Sequence, residues 1–260
     1  INQITYLFFI IAILISILGY GNILNYFFGI NNFFYKVKNL IFIQGLILIS
    51  FFCLIINFFI PITNNLTILI ILLGIIFYLI SFFKMLSKQR EIIFISLTIF
   101  ITFILTFYAG VNDDYNYHYV TIKNFKSKNI FEIIHHNRIS YNSHWLFLNS
   151  IFIIEYLTPT IFILSGLLYA ITIHDSYHLF KKSLKKKFYY TGVISFFFLI
   201  FLLGVLNNFR DIGTDVPGVI ISYYIIIIIS YYIFDNKIEK VNYLLILILL
   251  LATFVFVIKI

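Results

Sequence analysis

The sequence predicts an all-α integral membrane protein of about eight transmembrane helices, with a long outer loop carrying interfacial helices. Three observations carry that prediction. Hydrophobic residues make up 62% of the 260-residue chain and charged residues 11%, where soluble domains carry roughly 25%; mean hydropathy is +1.03. Apolar runs near the ~20 residues needed to cross a bilayer recur along the chain. Between them lies one dense polar window, Val111–Trp145, with two adjacent acids, four of the six histidines, Arg138 and the only Trp.

The apolar runs occupy 5–28, 39–60, 66–83, 91–110, 159–180, 188–206, 217–234 and 241–260. The first lacks the charged start and cleavage site of a signal peptide, so it counts as a span. Short breaks follow the early runs, at GINNFFYKVKN, PITNN and KMLSKQRE. Residues 1–90 thus supply three N-terminal spans ahead of a membrane module at 91–260. The chain starts at Ile1 and its last apolar run is still going at Ile260, so a piece of a longer protein is expected, with the module incomplete at its C-terminus. Neither an internal repeat nor a soluble domain is visible.

The segment WLFLNSIFIIEYLT, 145–158, is the ambiguous one, and charge decides how it is counted. With a single crossing between Trp145 and Phe180 and the N-terminus outside, the inside loops hold twelve of the eighteen basic residues, KKSLKKK at 181–187 among them. The outer loops then hold five: Lys123, Lys126, Lys128, Arg138 and Arg210. A second crossing would put KKSLKKK opposite the other basic loops and break the positive-inside bias. Asn149 and Glu155 also make this stretch a poor lipid-facing helix. It is expected to dip into the outer leaflet, leaving eight spans and placing the 111–144 and 207–216 loops on one outer face.

The net charge of +8 reads as that orientation signal rather than as a nucleic-acid footprint. Cys53, the only cysteine, lies inside an apolar run and excludes an intrachain disulfide or a CxxC metal site. There is no P-loop, GxGxxG, GxSxG or HExxH.

Candidate chemistry concentrates in the two outer loops. Asp113 and Asp114 are neighbouring carboxylates, which suits a general base or a shared cation; one of them also suits the N-cap of a helix starting near Tyr115. That helix, YNYHYVTIKNFK, reads as amphipathic at the interface, with Ile122 and Phe125 toward lipid and Lys123 and Lys126 toward water or head groups. His118 falls one turn after Asp114. Arg138 offers a guanidinium fork for phosphate, with His135 or His136 in support. Asn142 and Trp145 stand at the start of a span, Trp145 as an interface anchor or a sugar-stacking ring. In RDIGTDVPG, Asp211 and Asp215 add two acids to the same face. The HDSYH at 174–178 falls toward the inner face and reads as the polar end of a helix leading into KKSLKKK, itself an anchor to anionic lipid.

Taken together, Asp113 or Asp114 with Tyr117-His118, then Arg138 with Tyr141, Asn142, Ser143 and Trp145, then Ile212-Gly213-Thr214-Asp215 resemble a pattern in a group of bacterial polytopic membrane proteins. That group is similar to the type C (GT-C fold) glycosyltransferases. The resemblance spans roughly 91–234. It departs from the pattern in two places: three spans precede the module, and Ile-Gly stands where the group has Ser-Pro.

The resemblance implies a multi-pass enzyme of the bacterial inner (cytoplasmic) membrane. It would transfer a sugar from a polyprenyl-phosphate-linked donor to a glycan or lipid acceptor of the cell envelope on the outer face. Asp113 and Asp114 would be catalytic; His118, His135, His136, Arg138, Asn142, Trp145, Asp211 and Asp215 would bind substrate. A divalent cation, Mg or Mn, is optional in this reading, with Asp113, Asp114 and Asp215 as its candidate ligands. No nucleic-acid partner is expected. An envelope lipid or polysaccharide transporter or flippase, and a polysaccharide polymerase or ligase, are the alternatives.

Overall fold

The computed structural model describes residues 2–27, 38–83, 88–107, 114–134, 144–153, 162–204, 215–230 and 241–259, with the side chains of 114–117, 134, 144, 186, 215, 241–246 and 259 outside that description. Among the described residues the chain is all-helical, with no strand. The elements are α1 (Gln3–Phe27), α2 (Lys38–Asn57), α3 (Asn64–Phe83), α4 (Lys88–Phe107), α5 (Asp114–Ser127), α6 (Ile130–Ile134), α7 (His144–Phe152), α8 (Ile163–Lys186), α9 (Tyr189–Gly204), α10 (Asp215–Ser230) and α11 (Val241–Lys259).

Helices α1 to α4 are long and apolar enough to cross a membrane. Their outward faces carry exposed Leu69, Leu72, Ile76 and Ile80 on α3 and Ile93, Leu97, Phe100 and Ile104 on α4. Apolar faces of that extent suit lipid and not water. Shorter apolar helices follow at Tyr189–Gly204, Val216–Ser230 and Leu247–Ile258.

Small residues set how closely the first helices approach. A Cβ on Gly19 of α1 would run into the Gly74 carbonyl of α3, and one on Gly45 of α2 into the Ile17 carbonyl of α1. Backbone contact of this kind is how helices associate where no hydrophobic force separates protein from solvent. On α4 the inward stripe is Phe94, Thr98, Thr102 and Thr106, all buried. The four-residue spacing keeps them on one face. Gly166 of α8 presses against Thr102 and Thr106, while Thr106 satisfies its own hydroxyl on the Thr102 carbonyl at 2.7 Å.

Helix directions follow from which ends meet. Tyr6, early in α1, packs on Phe103 and Phe107, late in α4. At the opposite end Lys38 of α2 pairs with Glu91 of α4 at 2.5 Å, and Asn22 of α1 donates to Ser81 of α3 at 2.9 Å. Helices α8 and α9 run antiparallel: the Tyr169 hydroxyl donates to the Leu202 carbonyl, and Ser183 abuts Gly192. The turn between them closes at Lys187, left-handed at φ 58°, with its N–H on the Ser183 carbonyl, a common way to end a helix.

Helix α5 differs from the sequence expectation. Ile122 and Phe125 face the protein, not lipid, and both are buried. Phe125 meets Phe147 of α7 edge to face at 5.1 Å, and the Phe125 carbonyl accepts the Ile62 N–H from the α2–α3 turn at 3.0 Å. Lys126 is also turned inward, 6% exposed, and its ammonium donates to Thr67 Oγ1 at 2.6 Å. Only Lys123 keeps the predicted outward position, its ammonium 4.8 Å from the Tyr119 ring centre. The cause is a protein neighbour: α7 and the 58–63 turn cover the face that the pattern assigned to lipid.

Candidate functional site

Of the residues singled out in the sequence, Asp113, His135, His136, Arg138, Asn142 and Asp211 lie outside the described residues. Asp114 opens α5 and Asp215 opens α10. Both are at positions where a helix carries unpaired N–H groups and a positive end that favours a carboxylate. With Asp113 undescribed and the Asp114 and Asp215 side chains likewise, the proposed cation set has no described geometry.

His118 lies on α5 one turn after Asp114, half-buried. The platform beneath it is well fixed. Helix α5 is tied to the α2–α3 turn through Ile62–Phe125, to α3 through Thr67–Lys126, and to α7 through Phe125–Phe147. Asn129 then caps α6, accepting the Glu132 N–H at 3.0 Å and donating to the Glu132 carboxylate at 3.1 Å, a reciprocal cap of the capping-box kind. The described part of the polar window, α5 and α6, is therefore held to the bundle through α5.

Trp145 is placed differently from the interface anchor the sequence suggested. Its ring is fully buried in the core, on a helix whose described positions 145–152 are all buried. Asn149, on the same helix, satisfies its amide by donating to the Trp145 carbonyl at 2.9 Å. Buried on every side, with Asn149 and Ser150 bonded to its own carbonyls, α7 sits inside the protein. As packed, the Trp145 ring has no face exposed for a sugar. At nine residues α7 rises about 14 Å, under half the ~30 Å hydrocarbon core.

A second polar assembly, at the end where α2 and α4 begin, was not legible as one in the sequence. Its centre is Asp175 on α8, 3% exposed, within the HDSYH that the sequence marked only as the polar end of a helix. Asp175 Oδ2 accepts the backbone N–H of Asn39 at 2.6 Å. The physical reason lies in α2. Its first-turn amides need acceptors, and the preceding Tyr35-Lys36-Val37 includes none of the preferred capping residues. Asp175 caps α2 from another helix. Asn39 Nδ2 also donates to Thr172 Oγ1 at 2.7 Å, so two bonds fasten α2 to α8. One residue along, Ser176 donates to the Tyr223 hydroxyl of α10 at 3.2 Å.

Around this pin sit His174 and His178, their ring centres 4.4 Å apart. His174 Nδ1 is 3.5 Å from Asp175 Oδ1, and its ring stands edge to face on Phe94 of α4 at 5.0 Å. Beyond Phe94, Glu91 holds Lys38 and accepts the Tyr78 hydroxyl at 3.1 Å. The available signal for this assembly was an ionisable residue straight after the apolar run GLLYAITI, since such residues cost several kcal/mol in a membrane unless partnered. The partner, a backbone N–H 136 positions away in sequence, carries no residue signature.

No curated protein and no solved structure matches this chain. A family model described as a domain of unknown function (DUF8201) matches residues 4–260. That span takes in every helix of the bundle, and the chain belongs to this family.

Proposed function

We propose that the chain is a glycosyltransferase-like membrane protein. In this role it moves a sugar from a polyprenyl-phosphate-linked donor to a cell-envelope acceptor on the outer face of the inner membrane, across eight spans. The observation that carries the proposal is α5: a polar helix fastened to α3, α7 and the α2–α3 turn, with Asp114 at its start and His118 one turn on. A catalytic acid at a lipid surface needs such a rigid mount, because small misplacements of a reacting group cost large factors in rate.

In this chemistry Asp113 or Asp114 accepts the proton of the acceptor hydroxyl as its oxygen attacks the sugar, and the donor phosphate departs with the bonding pair. Arg138, with His135 or His136, stabilises the departing phosphate. Asp211 and Asp215 orient the acceptor. General-base catalysis contributes roughly 10²–10⁴-fold. In cells producing the full-length protein, Asp113→Asn and Asp114→Asn are each assayed for surface glycan and for sugar release from a labelled polyprenyl-phosphate donor. Loss in at least one is expected; unchanged glycan and release in both overturn the proposal.

One observation favours transport as a second function. The buried Asp175, with Asn39 and Thr172, puts an ionisable group inside the bundle, the kind of residue that transport paths are built on. Movement of a labelled lipid across vesicles that survives Asp113→Asn and Asp114→Asn but fails in Asp175→Asn would select transport over transfer.

A further inference from the structure

We propose that His174 and His178 form a two-point chelate for a divalent transition-metal ion of the zinc, nickel or copper type. The site lies at the end of the bundle where α2 and α4 begin and does not depend on the transferase proposal. Residues four apart share one face of a helix, and the two imidazole centres stand 4.4 Å apart, so both rings border the same small volume. His174 is set up as a ligand rather than simply packed. Its Nδ1 faces the Asp175 carboxylate at 3.5 Å, which leaves Nε2 as the nitrogen for a metal. Asp175 is itself fixed by the Asn39 N–H, and Phe94 sets the ring plane. A carboxylate behind a ligating histidine is the outer-shell arrangement that orients the ring and raises its basicity.

His178 is exposed on the helix surface near its KKSLKKK end, which leaves the pair open to an incoming ion. Two positive groups lie near, and neither occupies the pair: Lys38 is held by Glu91, and Lys181 stands over the Tyr177 ring, 5.9 Å from its centre. Among the described residues no three or more His, Cys, Asp or Glu converge on a metal. Two histidines supply two ligands, and water or an incoming ligand completes the coordination. Imidazole pairs of this kind select zinc, copper and nickel over magnesium or calcium.

The test uses the untagged full-length protein in lipid nanodiscs, titrated with Cu²⁺ and followed by electron paramagnetic resonance, and with Zn²⁺ by calorimetry. The other four histidines can bind ions too, so the site is read as the difference between wild type and variant. Wild type is expected to show one bound Cu²⁺ with two coordinated imidazole nitrogens that His178→Ala loses. The matching Zn²⁺ equivalent should weaken at least tenfold, the lower bound seen even for outer-shell changes. His178 is exposed, so its replacement spares the buried core, and His174→Ala serves as the second variant. Retention of the two-nitrogen signal and the Zn²⁺ equivalent in His178→Ala overturns the proposal, as does a wild type without that signal.

Discussion

Removing the Asp175 carboxylate tests whether one side chain on α8 holds the start of α2. Asp175→Ala leaves the Asn39 N–H without its acceptor at a fully buried position. A hydrogen bond to a charged group contributes about 1.5–3 kcal/mol, and an orphaned buried donor costs about 1–3 kcal/mol. A lost N-cap, measured elsewhere, costs about 0.5–2 kcal/mol. These are three views of one interaction, so the expected loss is about 2–3 kcal/mol rather than their sum. Asp175→Asn keeps a carbonyl oxygen able to accept the same N–H and gives up only the charge; about 1 kcal/mol is expected. Equilibrium unfolding of the purified protein in mixed micelles gives both values, with circular dichroism checking that each variant is helical beforehand. Two results refute the reasoning: Asp175→Ala as stable as wild type, or Asp175→Asn as damaging as Asp175→Ala. Either would mean that the carboxylate does not cap α2.

Other perturbations follow from the same packing. Gly19→Ala places a methyl against the Gly74 carbonyl and 2.8 Å from the Tyr78 nitrogen; both are backbone, so α1 and α3 must separate, at about 1–3 kcal/mol for overpacking, read by the same unfolding measurement. Lys126→Ala removes the bond to Thr67 and the packed stem, costing about 1–3 kcal/mol. Lys126→Met, which keeps the stem and drops the charge, is expected to be neutral or stabilising, as replacement of buried charges often is; a loss in Met equal to that in Ala refutes this.

Helix content was legible because hydrocarbon demands it. With no water to satisfy backbone groups, apolar runs of this length form helices, and the first four apolar runs correspond to α1 to α4. The face that each helix presents was less legible. For α5 the pattern assigned Ile122 and Phe125 to lipid, since lipid and protein interior both accept apolar side chains. Lys126 broke the pattern outright, because a polar partner on α3 allowed an ammonium to turn inward. The candidate site divides likewise. Asp114 and His118 were singled out from residue type and spacing, and the structure puts both on α5 one turn apart, whereas Asp175 was set aside as part of a helix end.

The sequence by itself determined that this is a helical protein with runs long and apolar enough to span a membrane, and that four of its six histidines, Arg138 and the acid pair fall in one window. Residue chemistry and run length suffice for that, because the bilayer penalises anything else. Tertiary structure decided which side chains meet. It buried Trp145 in the core, tied α5 to the α2–α3 turn, and set Asp175 on the N-terminus of α2. Such pairings depend on backbone groups and on glycine-governed helix approach, and a backbone N–H looks the same at every position in a sequence.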